Sequence, residues 1–125
     1  MKVTTKKNEQ VANMIFATIY PLYWNRLEKH GRTREEFHQV IEWFTGYEEA
    51  KLKALIEEKV TFRTFFENAK IHPNAHMIKG VVCGYRIEEI ADEFETYKQC
   101  RRMEKLIDEL ARGRKMDKII RVESA

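Results

Sequence analysis

The sequence predicts an all-α fold: a compact, single-domain orthogonal bundle of about six helices, with room for one short extended segment. Three observations predict it. Apolar residues recur at helical spacing, most cleanly Phe37, Val40, Ile41 and Phe44 at i, i+3, i+4 and i+7. Capping residues bracket such stretches: Thr33 with Glu36 forms a capping-box pattern, and Gly46 follows as a stop. One stretch is ambiguous: Val81 and Val82 are β-branched and would also suit a strand.

Taken in order, residues 1–10 are polar and lysine-rich and read as a flexible N-terminal tail. The helical domain then spans 11–125. Its first helical region runs from Val11 to His30, with a kink or break expected at Pro21, because proline lacks the backbone donor and disfavours helix at Tyr20. Gly31 is placed to cap it. The second helix follows Thr33 and ends at Gly46. A third, Glu48 to Lys59, buries Leu52, Leu55 and Ile56. Thr61 starts a short fourth helix packed by Phe62, Phe65 and Phe66, with Val60 and Phe65 placed for a hydrophobic staple. Pro73 and Asn74 punctuate a loop. His76 to Cys83 reads as a short helix ended by Gly84, and Tyr85 to Ile90 as extended chain. The last long helix, Asp92 to Ala111, buries Cys100, Met103, Leu106, Ile107 and Leu110. A final turn packs Met116, Ile119 and Ile120.

Composition narrows the class. A chain of 125 residues suits one domain, and 43% hydrophobic residues argue against disorder. The net charge of +3 does not mark a nucleic-acid binder. Val11 to Trp24 resembles a secretion signal superficially. Asn13, Thr18 and Pro21 interrupt it, no small-residue cleavage site follows, and it is too short and polar to span a bilayer. Cys83 and Cys100 form no CxxC pair, so free thiols in a reducing cytoplasm are expected, with no membrane association.

Five ordered phrases carry a resemblance. They are Phe16-Ala-Thr-Ile-Tyr-Pro-Leu-Tyr23, Gly31-Arg-Thr-Arg-Glu-Glu36, Ile41-Glu-Trp-Phe-Thr-Gly-Tyr47, Ile78-Lys-Gly-Val-Val-Cys-Gly-Tyr-Arg-Ile-Glu-Glu-Ile90 and Lys105-Leu-Ile-Asp-Glu-Leu-Ala-Arg-Gly113. Together they resemble the bacterial family called domain of unknown function 2200, from about Met14 to Arg121. The resemblance implies a small, mainly helical, bacterial cytoplasmic protein. It implies no activity.

Chemistry-bearing constellations are few. His72 and His76 have the spacing of two ligands on a helix face, but Pro73 between them leaves His72 outside any helix, so no metal is expected. Cys83, flanked by Gly80 and Gly84, is a candidate reactive or ligand-contacting thiol, though a thiolate needs a base or a helix N-terminus beside it. Arg86 and Glu88 are expected to pair, with Arg86 a candidate anion anchor. No phosphate-binding glycine motif occurs, and no cofactor is expected. Residues 34–59 have a loose helix–turn–helix pattern, but the second helix opens with Glu48 and Glu49, which oppose phosphate. A candidate basic patch, Arg112, Arg114 and Lys115, lies towards the C-terminus amid acidic residues at i,i+4 spacing, which makes nucleic acid an unfavoured partner. Tyr20, Tyr23, Trp24, Trp43 and Tyr47 are more aromatic surface than one small core readily encloses, and aromatic residues concentrate at interfaces.

The expectation is therefore a non-enzymatic binding or interaction module, pairing with itself or with another protein, its candidate contacts being Tyr20, Tyr23, Trp24, Cys83, Arg86 and Glu88. The alternative is a small enzyme or small-ligand binder built on Cys83 to Glu89. A weaker alternative is nucleic-acid binding by the basic C-terminal face.

Overall fold

A computed structural model describes residues 2–121. Met1 of the expected tail and residues 122–125 of the expected domain lie outside the described residues. Seven helices run in the order α1 (Thr5–Ala12), α2 (Phe16–Lys29), α3 (Arg34–Thr45), α4 (Glu49–Glu57), α5 (Phe62–Glu67), α6 (Glu95–Ala111) and α7 (Met116–Ile119). Between α5 and α6 lies a small hairpin, β1 (Val81–Val82) and β2 (Tyr85–Arg86), with one 3₁₀ segment before it and two after it. The all-α expectation holds, with the hairpin as its extended segment. Among the described residues, no helix is long and apolar enough to cross a membrane.

Helix α6 is the axis of the domain, contacting α1, α2, α3, α5, α7 and the hairpin. It can do so because Tyr97, Cys100, Met103, Leu106, Ile107 and Leu110 repeat at helical spacing and are all buried. Against them pack the buried rings Phe16, Phe37, Phe44, Phe62, Phe65 and Phe66. Phe16 stacks on Phe65 with centroids 4.1 Å apart, and Phe62 stacks on Phe66 at 5.8 Å. The capping box at Thr33 forms as expected, Thr33 N donating to Glu36 Oε1 at 2.9 Å and Glu36 N to Thr33 Oγ1 at 3.1 Å.

The N-terminal tail is corrected. Thr4 caps α1 by accepting from the Lys7 N–H at 3.1 Å, and α1 docks on α6. Ala12 is its buried anchor. Arg63 of α5 grips it from outside, donating to Glu9 at 2.6 Å and to Asn13 at 2.7 Å. The break in the first helical region is also corrected. It falls at Asn13 to Ile15, not at Pro21, and α2 runs through Pro21. An interior proline costs about 3 kcal/mol. Here Tyr20 and Trp24 on either side of it stack on Phe37, at 5.0 and 6.3 Å, and hold the helix together. At the break, Ile15 pairs with Thr61. Phe16 N donates to Val60 O and Phe62 N to Met14 O, both at 2.9 Å, so two helix starts satisfy each other's donors.

The expected helix His76 to Cys83 does not form. Pro73–Met77 is one 3₁₀ turn, and the chain then extends into β1. Cys83 (φ 51°) and Gly84 (φ 81°) both adopt left-handed backbone, which a two-residue hairpin turn requires and a helix cannot use. The extended reading of Tyr85 to Ile90 holds only for β2; Ile87–Glu89 coils into a 3₁₀ turn with Ile87 fully buried. The last long helix begins at Glu95, after a separate 3₁₀ turn, Asp92–Phe94.

Candidate functional site

Tyr97, Cys100, Arg101 and Glu104 stand at i, i+3, i+4 and i+7 on α6, so they share one face. Helices α1 and α2 lean over that face and leave a cleft of about 330 Å³. Val11, Ile19 and Phe62 form its apolar walls, and Tyr23 reaches into it from α2. Met14 (41% exposed) and Leu22 (59% exposed) flank the mouth, two of the few large apolar side chains that face solvent. The polar end consists of Tyr23, Arg101 and Glu104.

Arg101 is locked in place. Its Nε and Nη2 donate to the Tyr97 hydroxyl at 3.0 and 2.7 Å, and its Nη1 donates to Glu104 Oε2 at 2.6 Å. The guanidinium also lies over the rings of Tyr85 and Tyr97, 4.9 and 4.8 Å from their centroids. Burial acts to lower its pKa. The Tyr97 hydrogen bond and the Glu104 charge outweigh burial and raise it, so the group stays charged. Cys83 Sγ, brought over from the hairpin turn, donates to Glu104 Oε2 at 3.2 Å.

The two thiols and the Tyr23 hydroxyl beside this ion pair are held towards their neutral forms. Burial, then the hydrogen bond to Glu104, pushes the Cys83 thiol up. Burial pushes Cys100 above the ordinary thiol range. Burial, with Cys100 and Glu104 nearby, raises the Tyr23 hydroxyl well above its usual value. The site thus holds one fixed cation, one fixed anion and protonated hydroxyl and thiol groups. The thiolate, the form that attacks, is thereby disfavoured at both cysteines.

The structure divides the expected contact residues. Tyr23 enters the cleft and Cys83 reaches the same carboxylate. Tyr20 and Trp24 face α3 instead: the Tyr20 hydroxyl meets His38 Nε2 at 2.6 Å, and Trp24 lies beneath Arg34 at 4.7 Å. Arg86 sits 3.9 Å from both Glu88 and Glu89, half exposed, beside a different groove lined by Val3, Tyr85 and Phe94. Glu88 accepts from the Gly80 N–H at 3.3 Å. The stretch Cys83 to Glu89 is therefore not one site. Cys83 points to α6, whereas Arg86 and Glu88 serve the hairpin's own ion pairs.

The basic patch is largely spent internally. Arg112 reaches Asp108 at 3.1 Å, and Arg114 reaches the buried Glu109 at 2.8 Å; Lys115 precedes α7. Charges already paired release few counterions from nucleic acid. His72 stacks on Trp43 at 4.7 Å and accepts from the Asn74 N–H, while His76 Nδ1 lies 2.8 Å from the Pro73 carbonyl. Among the described residues no three His, Cys, Asp or Glu side chains gather as a metal centre. A larger depression of about 750 Å³ follows α3 past Trp43 and His72; it is a more open trough in which Trp43, Ile71, Pro73 and Ile120 alternate with charged side chains, Arg34, Glu42, Glu49 and Lys70 among them.

Sequence reasoning missed Tyr97, Arg101 and Glu104. Their i,i+4 spacing was visible as Tyr97–Arg101 and Cys100–Glu104 pairs, but the same face reads equally as solvated helix until α1 covers it.

No curated protein matches the chain significantly. A crystal structure of the uncharacterized protein SP1917 is 36% identical and matches with a TM-score of 0.81, over 90% of this chain and 92% of that one. A family model described as "Uncharacterized protein conserved in bacteria (DUF2200)" matches residues 10–121. With nearly the whole chain matched, the protein belongs to the bacterial family DUF2200.

Proposed function

We propose that the protein is a non-enzymatic cytoplasmic binding module whose cleft between α1, α2 and α6 takes up a small, mainly apolar ligand. The observation that carries this reading is the cleft itself. About 330 Å³ of mainly apolar space ends in a few convergent polar groups, which is the usual anatomy of a small-molecule site. Two free thiols, one buried and one exposed, support a reducing compartment. The protonated state of Cys83 and Cys100 argues for binding over thiol catalysis.

The test is a set of small aromatic and alkyl fragments titrated against isotope-labelled protein at millimolar concentration. Saturable NMR shifts at Tyr23, Cys100 and Arg101 are expected, and they should vanish in Ile19→Trp, which fills the cleft from its wall. If no fragment gives a saturable shift at these residues, the reading fails.

A second reading is favoured by Met14 and Leu22 at the mouth. Exposed apolar side chains around a pocket suit an apolar side chain of a partner protein or of a second copy. Light scattering across a concentration series separates the two. Association that Leu22→Lys abolishes favours a protein occupant, and a monomer at all concentrations removes the second copy.

A further inference from the structure

We propose, resting on the binding reading above, that the cleft selects a ligand whose polar end is uncharged: an apolar body ending in a neutral hydrogen-bond acceptor, such as an alcohol or carbonyl oxygen, held by the Tyr23 hydroxyl.

The charge balance of the polar end carries this. Arg101 is the cation at the cleft, and its Nε, Nη1 and Nη2 are already engaged by Tyr97 and Glu104. Glu104 is the anion, and its Oε2 already accepts from Arg101 and from Cys83. A carboxylate or phosphate entering here would meet Glu104 and would have to break the 2.6 Å Arg101–Glu104 bond to gain the guanidinium. An ammonium would meet Arg101. Either ion would leave water for an apolar cleft without a free counter-charge, which costs far more than burying a neutral group.

Tyr23 supplies what a neutral head needs. Tyr23 lines the cleft, and among the described residues its hydroxyl has no hydrogen-bond partner, although Cys100, Arg101, Glu104 and Cys83 are all close enough to act on it electrostatically. A half-buried O–H at the polar end of the cleft is free to donate to an acceptor that enters it. Its raised pKa keeps that proton in place at physiological pH, so Tyr23 donates and does not ionise.

Four probes of one shape separate the terms: toluene, benzyl alcohol, benzoate and benzylamine, each titrated by NMR. Benzyl alcohol is expected to bind at least about tenfold more tightly than either ion, one net hydrogen bond and one avoided desolvation being worth that much. Tyr23→Phe should weaken benzyl alcohol by about tenfold and leave toluene unchanged. Glu104→Gln unbalances Arg101 and should shift preference towards benzoate. Retained melting temperature shows that each variant folds. Benzoate or benzylamine binding the natural protein as tightly as benzyl alcohol overturns the inference while the binding module stands; so does a Tyr23→Phe protein that binds benzyl alcohol undiminished. If none of the four binds, the binding module itself falls.

Discussion

Asn8 Oδ1 accepts a hydrogen bond from the Tyr97 backbone N–H at 3.1 Å, across 89 residues of sequence. Tyr97 is the third residue of α6, and the residue that should cap this helix, Phe94, has no side-chain oxygen to do so. Asn8 on α1 therefore performs the capping that the local sequence omits. The same contact seats α1 over α6 and closes one side of the cleft.

Asn8→Ala leaves the Tyr97 donor without its acceptor. It should lower stability by about 1 kcal/mol, the usual loss for a removed cap. Asn8→Asp keeps an acceptor and adds negative charge at the positive end of α6, so it should be neutral or stabilising. Urea unfolding of the three proteins decides: equal midpoints for Asn8→Ala and the natural protein would show the bond to be idle.

This relationship also marks where the sequence was legible. The capping box at Thr33, the stripe from Phe37 to Phe44 and the buried face of α6 are local patterns, and each appears where the spacing places it. Asn8 looked like tail because its partner lies on the other side of the chain. The hairpin was ambiguous because Val81 and Val82 fit strand or helix, and only the left-handed pair Cys83–Gly84 settles it. Tyr23 was visible as an aromatic surplus, and Cys83 as an oddly placed thiol. That both converge on Glu104 depends on tertiary docking, which no spacing encodes.

Two glycines that look alike in the sequence should respond differently to alanine. Gly31 (φ 74°) and Gly46 (φ 76°) both follow helices in left-handed backbone, where a side chain costs about 1–2 kcal/mol. A Cβ at Gly31 meets nothing within 4 Å. At Gly46 it would lie 3.2 Å from Lys70 Cβ and 3.5 Å from the Lys70 carbonyl oxygen. Lys70 cannot retreat freely, because its N–H is bonded to Thr45 O at 2.9 Å. Gly46→Ala should be the more destabilising by about 1 kcal/mol or more. Chemical denaturation ranks the pair, and equal losses would mean that the Lys70 loop yields without cost.

His38 should make stability pH-dependent. Burial lowers its pKa, Arg34 adds to the lowering, and Glu49, 3.8 Å from Nδ1, opposes it. With Nε2 facing the Tyr20 hydroxyl at 2.6 Å, the neutral ring, carrying its proton on Nδ1, accepts a hydrogen bond from the tyrosine O–H. A folded pKa below the unfolded value of about 6.5 means that the unfolded chain binds the proton more readily. Its contribution is complete above that pH and is lost as pH falls through the folded value. His38→Gln retains an acceptor for Tyr20 but cannot titrate. Its melting temperature should fall less than that of the natural protein as pH is lowered from neutral towards mildly acid, and matching slopes would assign the dependence to other groups.

The reactivity of Cys83 tests whether the cleft is built to bind rather than to react. The thiol is exposed, so access is not limiting. Its proton is retained by burial and by the Glu104 carboxylate, with Arg101 opposing less strongly. At neutral pH, iodoacetamide should therefore modify Cys83 more slowly than a free cysteine with its pKa of about 8.5. Glu104→Gln removes the negative charge and leaves Arg101 unopposed, so alkylation should accelerate. Cys100, buried beneath the cleft, should react only after unfolding. Rapid modification of Cys83 in the natural protein would instead indicate a thiolate beside Arg101. The carboxylate would then be a base, the cleft a candidate reaction site, and the binding-module reading would give way to thiol chemistry.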